Sequence, residues 1–203
     1  MDKWNQLADK QKVKKTIVAL KANGIEAELV ESGERAKQRV MEILPTGAAV
    51  MNMTSVTLDT IGIPKEINES GNYNSVRKRL STMDRNIQNL AMQKMGAAPE
   101  YAIGSVHAVT EDGQVLIASN TGSQLPAYVY GSSHVIWIVG TQKIVVNTEE
   151  GIKRIYEYVL PLESERAKKA YGFGSNVSKL LIVNKEVKPS RITIIFVNEV
   201  LGY

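Results

Sequence analysis

The residues best suited to ligand chemistry lie in two short polar segments that follow apolar runs. The first is the turn formed by Ser119, Asn120, Thr121, Gly122 and Ser123, which leaves a predicted strand and opens a predicted helix. Free backbone N–H groups and the helix dipole at such a turn favour a phosphate or carboxylate. Ordinary helix capping explains the same residues, and the sequence leaves both interpretations open.

The second segment runs from Gly140 to Lys143 and follows the apolar run 135–139. Open α/β sheets bind ligands at the carboxyl ends of their strands, where this loop would lie. Lys143 could hold an anionic group there, or it could be an ordinary surface lysine. We therefore predict that Gly140 and Lys143 share one pocket with Asn120, Thr121, Gly122 and Ser123.

Two carboxylates are candidates for a catalytic base or nucleophile. Glu111 precedes Asp112 and Gly113, a pair typical of a two-residue hairpin turn. Asp112 is expected to stabilise the turn itself, whereas Glu111 has no such local role. Glu199 follows the last apolar strand, where burial could shift its pKa. The alternatives are an exposed turn carboxylate for Glu111 and an arginine partner for Glu199.

The remaining catalytic and metal-binding chemistries receive little support. His107 and His134 are the only histidines, and with no clear carboxylate cluster nearby they do not predict a metal site. We interpret both as core or boundary residues. No serine lies in a nucleophile-elbow pattern. The chain contains no cysteine, which excludes disulfides, a thiol nucleophile and a cysteine-ligated iron–sulfur cluster within it.

Composition is that of an ordinary globular protein. The 203 residues are 43% hydrophobic and 23% charged, with a net charge of +4 spread along the chain. Without a clustered basic surface, nucleic-acid binding is not expected. No apolar run approaches the roughly 20 residues that cross a bilayer. The polar start of the chain does not resemble a signal peptide, so we expect a soluble, cytoplasmic protein.

Hydrophobic periodicity predicts alternating helices and strands. Helices are predicted over 7–21, 32–43, 124–130, 148–159 and 163–171, with a helical turn over 55–61 and one long amphipathic helix over 76–96. Strands are predicted over 25–30, 48–52, 102–109, 114–118, 135–139, 144–146, 180–183 and 192–197. The segment 63–74 is predicted to be a loop. This order favours one α/β domain over 1–203, with parallel strands, crossover helices and an N-terminal helical extension over 1–22.

Several segments resemble the LUD (lactate-utilisation) domain family. They are SVTLDTIGI at 55–63, SVHAVTEDG at 105–113, GTQKIV at 140–145 and NEVLGY at 198–203, with NTGS at 120–123 where the family has a glycine-containing turn. The resemblance covers almost the whole chain. It implies a twisted, mostly parallel sheet flanked by helices, similar to ribose-phosphate isomerase, glucosamine-phosphate deaminase and CoA-transferase.

Members of that family are associated with oxidation of lactate to pyruvate beside iron–sulfur partners. The resemblance therefore implies a protein of lactate or organic-acid utilisation that binds a small anion, acting as an accessory subunit. One alternative is an isomerase- or CoA-transferase-like enzyme acting on a phosphosugar or acyl-CoA. Another is a non-catalytic interaction module whose 76–96 helix docks a partner or forms a homodimer. The ligand and any cofactor stay open, except that a cluster bound by this chain is excluded.

Overall fold

Ten strands in two sheets form the framework in a computed structural model that describes residues 2–203. The strands are β1 (Glu26–Val30), β2 (Ala49–Asn52), β3 (Asn74–Ser75), β4 (Tyr101–Gly104), β5 (Ala108–Thr110), β6 (Val115–Ser119), β7 (His134–Gly140), β8 (Ile144–Val145), β9 (Lys179–Val183) and β10 (Ile192–Val197). Six of them form a parallel sheet in the order β1-β10-β7-β4-β2-β3. The other four form a mixed sheet in the order β8-β5-β6-β9.

Helices pack around these sheets. They are α1 (Lys10–Ala22), α2 (Gly33–Ile43), α3 (Val56–Thr60), α4 (Ile63–Glu69), α5 (Val76–Ser81), α6 (Arg85–Ala97), α7 (Thr148–Arg154) and α8 (Leu160–Tyr171). A π-helical segment, Ile155–Val159, joins α7 to α8 without a break. The predicted α/β fold, a parallel sheet flanked by helices, is confirmed. None of the helices in residues 2–203 combines the length and apolarity needed to span a membrane.

The core follows from the apolar strands. Every residue of β7 after His134 is buried, as expected for a central parallel strand covered on both faces. Trp137 shares one apolar cluster with Val109 and Ile117 of the mixed sheet, so the two sheets pack together. Val13 and Leu20 of α1 belong to the same cluster. The N-terminal helix is therefore part of the core as well as an extension of the sheet domain.

The loop predicted over 63–74 and the helix predicted over 76–96 both need correction. The segment 63–74 contains α4, because Pro64 lies in the first turn, where its missing N–H is tolerated. The single helix predicted over 76–96 is α5 and α6, with Asp84 accepting the Asn86 N–H to start the second helix. Its expected apolar stripe is not buried throughout, since Ile87 is 83% exposed.

The predicted strand over 102–109 is also interrupted. It divides into β4 and β5, and residues 105–107 between them belong to neither strand. Gly104 is required at the break, because a Cβ there would overlap the Tyr128 side chain. The chain leaves the parallel sheet at this point and enters the mixed sheet, so Ser105 and His107 lie where the two sheets meet.

Candidate functional site

A cleft of about 1150 Å³ opens at the carboxyl ends of β2, β4 and β7. The polar residues that follow these strands and line it are Thr54, Ser55, Thr57, Ser105, His107 and Lys143. The turn after β6, helices α6 and α8 and the C-terminal Tyr203 complete its walls. This is the edge at which open parallel sheets bind ligands.

Lys143 lies on the floor of this cleft, at the end of a short 3-10 turn after β7. Its side chain is almost fully buried, and its Nζ donates to Thr57 Oγ1 and Ser105 Oγ, each at 3.1 Å. Thr57 in turn donates to the Leu201 carbonyl oxygen. Burial, and then the positive charge of Arg154, hold the pKa of Lys143 well below its usual value.

The loop before Lys143 anchors the C-terminal segment. Gln142 Nε2 donates to the Leu201 carbonyl oxygen at 3.0 Å. A Cβ on Gly140 would lie 2.7 Å from the Glu199 carbonyl oxygen, so only glycine permits this close approach. Gly140 itself does not line the cleft. Its position allows the chain end to return across the sheet and place Tyr203 in the cleft wall.

His107 is a half-buried, neutral imidazole in the cleft wall. Its Nδ1 accepts the Ala118 N–H at 3.0 Å, which leaves the proton on Nε2. Burial and, to a lesser degree, the positive charges of Lys143 and Arg154 together lower the pKa of His107 to about 3, against a weaker opposite effect of Glu163. The ring can therefore donate a hydrogen bond from Nε2 at neutral pH.

Arg154 carries a buried positive charge behind the cleft. Its Nη1 donates to the His107 carbonyl oxygen, while Nε and Nη2 are buried without a hydrogen-bond partner in the described part of the chain. Burial lowers the pKa of Arg154 to about 10, so the guanidinium is still charged at pH 7. Among the side chains that the structure describes, those of residues 3–203, neither Arg154 nor Lys143 has a carboxylate partner.

A network around the Glu163 carboxylate forms another part of the cleft wall. Glu163 accepts two hydrogen bonds from Arg166, both 2.7 Å, and one from the Tyr203 hydroxyl at 2.6 Å. Burial raises the pKa of the Glu163 carboxyl, but these donors lower it below its usual value overall. Glu163 is thus an ionised, fully engaged group at neutral pH.

The predicted turn after β6 also lines the cleft. Asn120, Thr121, Gly122 and Ser123 all lie in its wall together with Lys143. The Ser119 hydroxyl accepts the Gly122 N–H at 2.8 Å and fixes the turn. The element that follows is a five-residue π-helical segment, so the expected contribution of a helix dipole is small.

The two predicted carboxylates lie elsewhere. Glu111 lies beside the β5–β6 turn and forms ion pairs with Lys15 at 2.9 Å and Lys12 at 3.5 Å, where the Lys15 hydrogen bond lowers the pKa of the carboxyl. Glu199 Oε2 accepts the Gly33 N–H at 3.0 Å, at the start of α2, and lines a separate open groove. Neither side chain is brought to the cleft, so their catalytic roles stay predictions without geometric support.

Several cleft residues were missed from the sequence. Arg77 was not among the predicted site residues, yet its Nε donates to the Asn52 carbonyl oxygen and its side chain lines the cleft. His107 was placed inside a continuous strand. The Gly104–Ser105 pair within that run was the available signal, because glycine inside a strand pattern often marks a break or a close approach.

The comparisons with known proteins agree with the fold. The LUD domain model matches residues 13–197. A crystal structure of a DUF162 family protein from Deinococcus radiodurans is similar, with 12% identity, a TM-score of 0.59, and coverage of 95% of this chain and 100% of that one. At this identity the structural likeness shows the fold alone. No curated protein sequence matches the chain. The match over nearly the whole chain shows that this protein belongs to the LUD domain family.

Proposed function

We propose that the cleft binds a small organic anion. The observation that carries this proposal is the pair of buried basic side chains, Lys143 and Arg154, which lack a carboxylate partner among the described residues. A buried cation is costly unless an opposite charge compensates it. The charged guanidinium of Arg154 lies behind the cleft, and an anion in the cleft would offset its charge, while the buried Lys143 amine would donate a hydrogen bond to that anion.

The lining of the cleft supports the same conclusion. Its basic side chains are Arg77, Arg85, Lys143 and Arg166, whereas its acidic ones are Asp59 and Glu163. Because Glu163 is engaged by Arg166 and Tyr203, it adds little repulsion toward an incoming anion. Arg77 donates to Asn52 and Thr54 and has no ion-pair partner among the described side chains of residues 3–203. A carboxylate or phosphate therefore finds a net positive environment.

The family relationship makes an organic acid the leading choice of ligand. We propose a role in lactate or organic-acid utilisation, in which this chain is an accessory subunit beside partners that carry redox cofactors. The chain has no cysteine, so any thiolate-bound iron–sulfur cluster would belong to those partners.

An enzymatic role of the isomerase or CoA-transferase kind would need its carboxylate in the cleft. Glu163 and Asp59 line the cleft, whereas Glu111 and Glu199 do not. An enzyme of this class would therefore use Glu163 or Asp59 before the two carboxylates predicted from the sequence.

A role as an interaction module is favoured by one feature of α6. Ile87 and Leu90 are 83% and 64% exposed on this helix. Sedimentation of the wild type and of Ile87→Gln at high concentration tests self-association through this face. A monomer in both cases would contradict a homodimer built on α6.

Calorimetric titration with lactate and with inorganic phosphate tests the anion site. Arg77→Gln should weaken the binding of either anion about tenfold, since a hydrogen bond to a charged group contributes on the order of 1.5 kcal/mol. Arg79→Gln is the matched control, because Arg79 is exposed on the same helix and does not line the cleft. Equal affinities in all three proteins, or no binding of either anion, would contradict the proposal.

A further inference from the structure

We propose that the Lys143 amine is a nucleophile that forms an imine with the carbonyl group of a small 2-oxo carboxylate. The inference rests on the proposed anion site and names its ligand class. It adds a covalent step that binding alone does not require.

The surroundings of Lys143 present a fixed amine to the cleft. Thr57 donates its own hydroxyl proton to the Leu201 carbonyl oxygen, so its Oγ1 can only accept an N–H from Lys143. Ser105 Oγ lies 3.1 Å from the same nitrogen and accepts a second N–H. A neutral amine that donates one N–H to Thr57 and the other to Ser105 keeps its lone pair free for a ligand.

The charge balance distinguishes Lys143 from the exposed lysines. Lys153 forms an ion pair with Glu149 at 2.8 Å, and the hydrogen bond to this carboxylate raises its pKa. Lys143 instead has the Arg154 guanidinium nearby and burial around it, and both lower its pKa. A lysine desolvated next to another cation is the environment that activates an amine as a nucleophile. Lys143 is therefore reactive at a pH where Lys153 is protonated.

The ligand class follows from the groups that share the cleft. Arg77 provides a guanidinium for a carboxylate, and the neutral His107 can donate its Nε2 proton to a carbonyl oxygen. A free amine reacts with a carbonyl carbon. The smallest molecules that carry both a carboxylate and an adjacent carbonyl are 2-oxo acids, and pyruvate is the simplest probe with a methyl group.

The step is balanced without any further reactant. The Lys143 nitrogen attacks the carbonyl carbon, and a C–N bond forms as the C=O double bond opens. The C–O bond then breaks, and the oxygen leaves as one water molecule that carries the two hydrogens of the amine. The product is a C=N bond between the side chain and the ligand, and water reverses it.

Reductive trapping tests the imine directly. The wild-type protein is incubated with pyruvate and sodium borohydride at pH 7, digested, and mapped by mass spectrometry. We expect one reduced adduct at Lys143, since an ordinary lysine is neutral in only about one molecule in 2500 at this pH. Lys143→Arg should lose the adduct, whereas Lys153→Arg should keep it. The wild-type map locates the adduct whether or not Lys143→Arg folds.

Lactate distinguishes imine formation from anion binding, because it has the carboxylate of pyruvate but a hydroxyl in place of the keto group. Binding of both lactate and pyruvate with no adduct at Lys143 overturns the imine and leaves the anion site intact. An adduct spread over exposed lysines such as Lys153 also overturns it. If neither molecule binds, the proposed function fails and the imine fails with it. A single adduct at Lys143 together with lactate binding supports both.

Discussion

Charged side chains at the cleft and charged side chains away from it differ in whether they have a partner of opposite charge. Glu111 and Glu199, which lie outside the cleft, each contact a lysine or a helix start that offsets their negative charge. Lys143 and Arg154 are more deeply buried, yet no carboxylate among residues 3–203, whose side chains the structure describes, pairs with either. A satisfied surface charge contributes to stability, whereas an unsatisfied buried charge is retained at a cost to it. This difference is the basis of the proposed ligand site in the cleft.

The largest effect is expected for Lys143→Met, which removes the amine and roughly conserves the volume of the side chain. We expect lactate affinity to fall by up to about 3 kcal/mol, roughly a hundredfold, because a hydrogen bond to a charged group is lost. The free energy of unfolding should not decrease, since a buried amine without a carboxylate partner is removed. Calorimetry and urea unfolding measure the two quantities, with Lys153→Met as the control. Unchanged lactate affinity would contradict a role for Lys143 in the anion site.

The second test uses the pH dependence of stability through His107. Its folded-state pKa of about 3 lies below the usual value of 6.5, so between these pH values the unfolded state binds the additional proton. The contribution of His107 to the free energy of unfolding therefore falls as the pH decreases, by about 2 kcal/mol between pH 7 and pH 5. His107→Asn keeps an acceptor for the Ala118 N–H but cannot titrate. Urea unfolding at both pH values should show a smaller decrease for this variant, and equal decreases would be evidence against a lowered pKa of His107 in the folded protein.

A smaller effect is expected for Glu199→Ala at the start of α2. The carboxylate accepts the Gly33 N–H and lies near the positive end of the helix dipole. Its loss should lower the free energy of unfolding by about 1 kcal/mol. Lactate affinity should be unchanged. A large loss of affinity with normal stability would instead support Glu199 as a site residue.

The smallest effect is expected for Glu111→Gln. Its ion pairs with Lys12 and Lys15 join α1 to the β5–β6 turn, and such pairs contribute about 0.5 kcal/mol. The loss should shrink in high salt, which screens the same pairs in the wild type. Urea unfolding at two salt concentrations measures it. A salt-independent loss of several kcal/mol would show that Glu111 does more than pair with α1.

Local patterns predicted the features whose causes are local. Asp112 and Gly113 form the β5–β6 turn as expected, with Gly113 at a φ of +84° and Asp112 in contact with the Thr110 hydroxyl. Ser32 caps α2 by accepting the Arg35 N–H. The apolar run that became β7 is buried on both faces. In each case, residues within a few positions supply the interaction that decides the conformation.

The sequence-based predictions that were wrong failed because of contacts between residues far apart in the chain. The strand expected over 102–109 is interrupted because the Tyr128 side chain occupies the space beside Gly104. The 76–96 stripe was interpreted as one core-facing helix, but its Ile87 and Leu90 lie on the exposed surface of α6. No periodicity count can distinguish a buried apolar face from an exposed one, since both have the same spacing.

The sequence by itself determined that the chain alternates helices and strands, that 120–123 and Lys143 lie at strand ends, and that no thiol chemistry is available. It could not decide which charges are compensated. The hydrogen-bonded group at the cleft contains Thr57, Ser105, Lys143 and Leu201. It forms because β2, β4 and β7 end at one edge of the sheet and because Gly140 has no side chain to block the C-terminal segment. The tertiary structure alone decided that Lys143 is buried with no carboxylate partner among the described side chains, while Glu111 and Glu199 have partners. Desolvation and charge pairing depend on distances between residues that are remote in the sequence.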